Sequence, residues 1–280
     1  MAVAGAYGLG IARSRLRAEA RRSAETMRTQ SRLRAQALYT DCAGRPWANI
    51  SRTWATEGWT IFKPCSLRPK TVADINAGVD AEFREQKAKG RIQDLWLSHG
   101  GVKALALNHE VLRLLTWLHD GREAFPFQTL NFQNGTQQAA HSDIVHFDSF
   151  PTRGLMAAAW TALEDIHDDA GPLLFYPGTH AESLWDFDAL EEVRNEVGAK
   201  PKPGHYSVYE AALKKRLEAR GVEPKRAVMR RGEVFLWTAS LVHGGSKIRD
   251  ATRTRMSQVT HYFFEGATAY WVPRLSNPYA

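Results

Sequence analysis

The sequence predicts a mainly β chain, an antiparallel sandwich or barrel preceded by helices and interrupted by one more. Three observations carry this. From Phe125 onward, "FPFQTLNFQNGTQQ", "GLMAAAWTALEDI", "GPLLFYPGTH", "GEVFLWTASLVHGG" and "RTRMSQVTHYFFEG" are short runs of β-branched and aromatic residues broken by Gly, Pro and Asn. Helical periodicity is absent between most of these runs, which argues against a parallel, alternating architecture. Ahead of them, apolar residues recur at helical spacing instead.

The elements follow in order. Residues 1–40 form a basic extension, read as helical or partly disordered: "IARSRLRAEARRSAETMRTQSRLRAQAL" is rich in arginine, with Glu19 and Glu25 its only acids. A single unit, residues 41–280, carries the rest. "WTIF", Trp59 to Phe62, is a short strand. Pro69 stands at the first position of a helix whose apolar face is Val72, Ile75, Val79 and Phe83. "NHEVLRLLTWLHDG" is a second helix, with Asn108 as N-cap and Gly121 at its end. Within the β-rich half, residues 183–228 form a helical insert. Its core, "SVYEAALKKRLEARG", opens on a capping-box pattern, Ser207 to Glu210, and stops at Gly221.

Composition narrows the function classes. The chain has 280 residues, 44% hydrophobic and 24% charged, enough to bury a real core. Its net charge of +7 favours anionic ligands, yet much of that surplus lies in the leader. The leader lacks the interleaved aromatics of a nucleic-acid face, so no nucleic-acid partner is expected. No stretch approaches membrane-spanning length. Two cysteines, Cys42 and Cys65, rule out a disulfide framework and a cysteine-based zinc site. A reducing, cytoplasmic setting is therefore the default, with a transit-like leader the alternative.

Any metal chemistry must then rest on histidine and carboxylate. "HSDIVHF" places His141 and Asp143 two apart, hence on one face of a strand, and "VFLWTASLVHGGS" ends an apolar strand on His243. Two histidines and one carboxylate on a β scaffold compose a facial triad, which holds iron(II) on one side and leaves the other side open. Arg253 and Arg255 share parity on the last strand, and a guanidinium inside a barrel is costly unless a carboxylate meets it. Gln128, Gln138, His146 and Trp237 are candidates for substrate contact, although a satisfied barrel interior explains the glutamines equally well. His180 is read as a supporting or loop residue, Asp148 as a competitor of Asp143 for the carboxylate position, and Glu164, Asp165, Asp168 and Asp169 as a solvated turn.

Taken together, these pieces resemble the phytanoyl-CoA dioxygenase family of Fe(II)/2-oxoglutarate oxygenases. "HSD" is similar to the family's His-x-Asp, "WTALEDIHDDAGPLLFYPGTH" to its tryptophan-bearing strand and proline-glycine element, and "RRGEVFLWTASLVHGGS" to the strand of its distal histidine. The likeness covers most of residues 50 to 265. It implies a double-stranded β-helix (jelly roll, cupin-like) core. It also implies Fe(II), 2-oxoglutarate and O2 as cofactor and co-substrates, with His141, Asp143 and His243 as iron ligands. Arg255 then matches the residue that clamps the distal carboxylate of 2-oxoglutarate, Arg253 is the fallback, and Trp160 matches a tryptophan set against the co-substrate. Thr129, Asn131 and Gln133 share a strand face that would complete this co-substrate site. Some relatives carry lysine where Gln133 stands, and many carry serine where Gly245 stands.

The chemistry implied is oxidation of a C–H bond of a small metabolite, with hydroxylation the usual outcome and succinate and CO2 as co-products; the basic surplus mildly favours an anionic one. Halogenating relatives replace the carboxylate ligand with a small residue, so Asp143 disfavours halogenation. Desaturation, ring formation and demethylation use the same ligands. A cupin-like binding domain without oxygenase activity, or a non-redox metalloenzyme using the same three ligands, are the rival classes.

Overall fold

A computed structural model describes residues 40–182 and 205–267, together with Val193 and Asn195. Most of the basic extension and the first part of the helical insert lie outside the described residues. No helix among the described residues is long and apolar enough to cross a membrane.

The expected elements form where local chemistry favours them. Helix α1, Trp47–Glu57, stops at Gly58, whose φ of 81° is left-handed. A side chain on Gly58 would also collide with His180, since its Cβ would stand 2.5 Å from the imidazole Cγ. Strand β1, Trp59–Phe62, follows at once. Helix α2, Pro69–Glu85, starts on its proline and buries Val72, Ile75, Val79 and Phe83. Edge strand β2, Arg91–Gln93, and the short helix α3, Gly100–Ala106, lead to α4, His109–Leu118. There the Asn108 side chain accepts from the backbone N–H groups of Glu110 and Val111.

The β-rich half supplies β3, Ala124–Phe132; β4, Met156–Ala162; β5, Leu173–Phe175; β6, Lys225–Arg226; β7, Val234–Thr238; β8, His243–Gly245; and β9, Ser257–Phe264. They build a six-stranded sheet, ordered β1-β7-β4-β9-β3-β2, and a three-stranded sheet, β6-β5-β8. All pairings are antiparallel. This is the mainly β, jelly-roll-type architecture that the sequence texture predicts.

Alternation along the large sheet separates two cores. Ala157, Ala159, Val234, Leu236, Tyr262 and Phe264 face the helices and join the apolar faces of α1, α2 and α4. Ala158, Trp160, Ala162, Phe235, Trp237 and Val259 face the small sheet and pack with Leu173 and Phe175. Every residue of β4 and β9 is consequently buried. That double cover explains why β4, MAAAWTA, reads as a nearly continuous apolar run instead of an alternating one. Helix α5, His205–Arg220, closes one end, packing Tyr209, Leu213 and Leu217 on Val145 and Val242.

Four expectations change. Helix α5 begins at His205, so Ser207 lies inside it and does not cap it, while the stop at Gly221 holds. The "VFLWTASLVHGG" run is not one strand ending in His243. It is β7, a turn, and β8, which starts on His243 and belongs to the other sheet. His141 and Asp143 do not share a strand either: His141 forms an isolated bridge with His243, and Asp143 opens a 3-10 turn over Asp143–Val145. Finally, Cys42 and Cys65 are bonded to each other, tying the loop before α1 to the one before α2. Two cysteines were enough for one crosslink, and the reducing-compartment argument from their number fails.

Candidate metal centre

The bridge between His141 and His243 brings the two histidines together. Their backbones exchange two N–H···O bonds, each of 2.8 Å. The rings lie 4.4 Å apart, and the turn at Asp143 swings its carboxylate between them. His141 Nε2 stands 3.8 Å and His243 Nε2 3.6 Å from Asp143 Oδ1. One ligand atom from each of the three residues falls within 4.8 Å of the others, and all three residues are buried.

The histidines are presented in the right tautomer. Each Nδ1 faces a backbone carbonyl two residues back in the chain, Ala139 O at 2.9 Å for His141 and Leu241 O at 3.0 Å for His243. A carbonyl only accepts, so Nδ1 carries the hydrogen and Nε2 turns its lone pair toward the carboxylate. Burial lowers both pKa values to about 4, which keeps the imidazoles neutral and able to ligate. Asp143 Oδ2 is fixed by the other sheet: Trp237 Nε1–H donates to it at 2.8 Å. Two neutral imidazoles and a carboxylate at these separations suit a divalent transition ion such as iron(II).

The cluster opens on a cavity of about 400 Å³. Trp160, Trp237, Phe147, Leu173 and Val259 form its apolar walls. Arg255 lies 4% exposed, with its Cζ 5.1 Å from the Trp160 ring and 5.6 Å from Phe132. Among the described residues its side chain makes one hydrogen bond, to Asn134 O at 3.2 Å, and Nε has no partner. Desolvation alone pulls its pKa down to about 10. A buried guanidinium with unused donors fits an acid bound in the cavity, as the distal carboxylate of 2-oxoglutarate would be.

The remaining candidates divide. Gln128, Gln138, His146 and Trp237 line the cavity. His146 stays off the ligand cluster and meets Tyr206 Oη at 3.2 Å. Arg253 is excluded: it is exposed, held by Asp250 at 3.0 Å, and lies with Arg255 in the loop before β9, so strand parity does not apply to the pair. Thr129 and Asn131 do share a face, but it is the helix-side face. Thr129 and Asn131 pair with Thr260 and Gln258, and Gln258 donates to Val102 O of α3. The cavity face of β3 is instead Gln128, Leu130 and Phe132. Gln133 turns away as well, donating to Asp80 of α2 at 3.1 Å. His180 meets Ala55 O, Asp148 pairs with Arg153, and Asp168 and Asp169 pair with Arg226 and Arg249.

Two titratable lining residues are not among the sequence-based site candidates. His261, 4% exposed, sits on the cavity face of β9 with Nδ1 2.9 Å from Gln128 Oε1 and Nε2 4.0 Å from Asp143 Oδ2. Its signal was available: it lies two residues beyond Val259 on the same face. Arg91, on edge strand β2, had no local signal because its partner strand is almost forty residues away.

Four buried histidines set the acid response of the metal-free protein. Burial lowers His141, His243 and His261 to about 4 and His146 to about 3, from an ordinary 6.5. As pH falls below 6.5 the unfolded chain takes up protons that the folded one refuses, so stability falls through the window from 6.5 to about 4. Melting curves of apoprotein at pH 7.5 and 5.0 should differ by about 5–10 °C, with the acid sample lower. The hydrogen bond from Trp237 gives a second expectation. Trp237→Phe should weaken iron(II) binding about tenfold, measured by competition with a chelating dye, because the carboxylate loses the donor that orients it.

Comparison with known proteins agrees with this geometry. The family model described as phytanoyl-CoA dioxygenase (PhyH) matches residues 73–256. None of the curated proteins matches the chain. Among solved structures, the non-haem α-ketoglutarate-dependent carbocyclase SnoK from nogalamycin biosynthesis superposes with a TM-score of 0.63 at 14% identity, covering 82% of this chain and 88% of that one. The epimerase SnoN, solved with Fe3+, α-ketoglutarate and nogalamycin RO, gives 0.56 at 17% identity, covering 78% and 83%. EctD from S. alaskensis, solved with 2-oxoglutarate and 5-hydroxyectoine, gives 0.57 at 16% identity, covering 77% and 75%. At these identities the three share the fold with this chain.

Proposed function

The chain belongs to the phytanoyl-CoA dioxygenase family, the Fe(II)- and 2-oxoglutarate-dependent oxygenases, and from that premise we propose that it hydroxylates a C–H bond of a small-molecule metabolite. The observation that carries the reading is the pairing, in one cavity, of the His141–Asp143–His243 cluster with the unsatisfied guanidinium of Arg255. A bare zinc hydrolase would need the first and have no use for the second.

Each residue has a stated task. His141, Asp143 and His243 would hold the iron, and their common placement on one side of it leaves the cavity side for co-substrate and O2. Arg255 would take the distal carboxylate of 2-oxoglutarate in a two-pronged hydrogen bond, with Trp160 and Phe132 as the apolar floor beneath it. Trp237 keeps the Asp143 carboxylate from rotating. Phe147, Leu173 and Val259 line the cavity with apolar surface that would keep water from the reacting C–H bond. Bound iron(II) with 2-oxoglutarate and O2 supplies the oxidation; succinate and CO2 leave as co-products. The presence of Asp143 as third ligand favours hydroxylation over halogenation. SnoK comes from nogalamycin biosynthesis, SnoN was solved with nogalamycin RO and EctD with 5-hydroxyectoine, which supports a small-molecule substrate class without choosing a member of it.

The test is direct. Purified protein given Fe(II), 2-oxoglutarate and O2 is expected to form succinate only when iron is present, and faster with a matching metabolite. A protein that binds no Fe(II) and consumes no 2-oxoglutarate ends the proposal.

A further inference from the structure

We infer that Arg91 forms a second anion site at the rim of the cavity, so that the substrate oxidised here carries a carboxylate or phosphate group at the end remote from the metal. The inference rests on the functional reading above and adds the substrate's charge to it.

Strand β2 is the edge of the large sheet and contributes Arg91 and Gln93 to the cavity lining. The register fixes where Arg91 stands. His261 pairs with Gln128 beside the metal ligands, and Phe132, four residues further along β3, pairs with Arg91. At about 3.3 Å per residue, Arg91 lies roughly 13 Å along the sheet from the His261–Gln128 pair. Phe132, whose ring lies 5.6 Å from Arg255 Cζ, is thus neighboured by two guanidiniums, one for the co-substrate and one left for a second anion.

Arg91 differs from five arginines that are already paired. Arg84, Arg153, Arg226, Arg249 and Arg253 each meet a carboxylate. Arg91 is half-buried and has no ion pair or side-chain hydrogen bond among the described residues, and desolvation is the single influence on its titration. A guanidinium kept partly out of water with no partner is a binding group awaiting one.

The charges in the cavity point the same way. Among the described lining residues the fixed charges are Asp143, Arg255 and Arg91. Iron(II) and the 2-oxoglutarate dianion cancel, Asp143 offsets one arginine, and the other is left over. One carboxylate is satisfied by one guanidinium fork, and Arg255 already supplies that for the co-substrate. The leftover positive charge therefore suits a substrate bearing its own anion.

The experiment uses full-length protein loaded with zinc(II), which is redox-silent, and saturating 2-oxoglutarate. Ligand-observed NMR titration compares phenylacetate with phenylacetamide and phenyl phosphate with phenol. The wild type is expected to bind the anion of at least one pair about tenfold more tightly. Arg91→Gln is expected to remove that preference, Arg91→Lys to restore part of it, and 2-oxoglutarate affinity to change less than twofold in either variant. Whichever pair shows the preference identifies the anion as carboxylate or phosphate. The inference is overturned if neither pair shows an anion preference, or if Arg91→Gln weakens 2-oxoglutarate as much as the probes, which would give Arg91 to the co-substrate. A wild type that takes up metal and 2-oxoglutarate but shows no preference overturns this inference alone. One that binds neither overturns the functional reading and this one with it.

Discussion

Replacing Asp143 by asparagine should leave a folded protein that no longer turns over 2-oxoglutarate. The amide keeps an oxygen for the Trp237 N–H, now 2.8 Å from Asp143 Oδ2, so the packing of β7 against the turn survives. What disappears is the negative charge between two neutral imidazoles. A divalent ion then meets two nitrogens and a weak amide oxygen, and the site loses both charge neutralisation and a hard oxygen donor. Succinate formation is expected to fall by about a thousandfold or more, equivalent to roughly 4 kcal/mol. Metal content by mass spectrometry should fall below one ion per ten chains. An Asp143→Asn protein with full iron content and turnover would show that the carboxylate is not a ligand.

The second large effect belongs to Arg255, and Arg253 is its internal control. Truncating one partner of a buried, hydrogen-bonded charge pair costs about 2–5 kcal/mol, so Arg255→Ala should raise the KM for 2-oxoglutarate by about a hundredfold or more. Arg253 is exposed and spends its guanidinium on Asp250, so Arg253→Ala should change that KM by less than twofold. The free arginine lies in an apolar pocket over Trp160 and Phe132 with an unpaired Nε. Its removal should therefore not destabilise the protein, and melting temperature separates lost binding from lost folding. Equal effects of the two substitutions would place the co-substrate elsewhere.

The pattern of successes and failures in reading the sequence has a physical basis. Helices α2 and α4 were legible because a proline start, an asparagine cap and a 3.6-residue apolar stripe are local signals. The candidate triad is legible through the joint order of its motifs, but strand parity is not what brings His141 and Asp143 together. They converge through a backbone bridge and a 3-10 turn. Thr129, Asn131 and Gln133 show the limit of parity from the other side. Alternation says which residues share a face; it does not say which face looks inward when both are covered. Here both faces of the large sheet are buried, one by helices and one by the small sheet. Arg91 needs the register between β2 and β3, which no short window of sequence contains, whereas His261 lies two residues beyond Val259 on the same face.

The turn that carries the chain from β7 in the large sheet to β8 in the small one has a consequence for endurance. His243 starts β8 and His141 is bonded to it, whereas Asp143 is tethered to β7 through Trp237. An ion held by all three would thus be a staple through the middle of the sandwich, adding to the β7–β8 turn and the side-chain packing that already join its two layers. Its binding free energy adds to folding, by about 2.7 kcal/mol at a hundredfold excess over Kd. Iron supply would then govern how long the protein lasts as well as how fast it works.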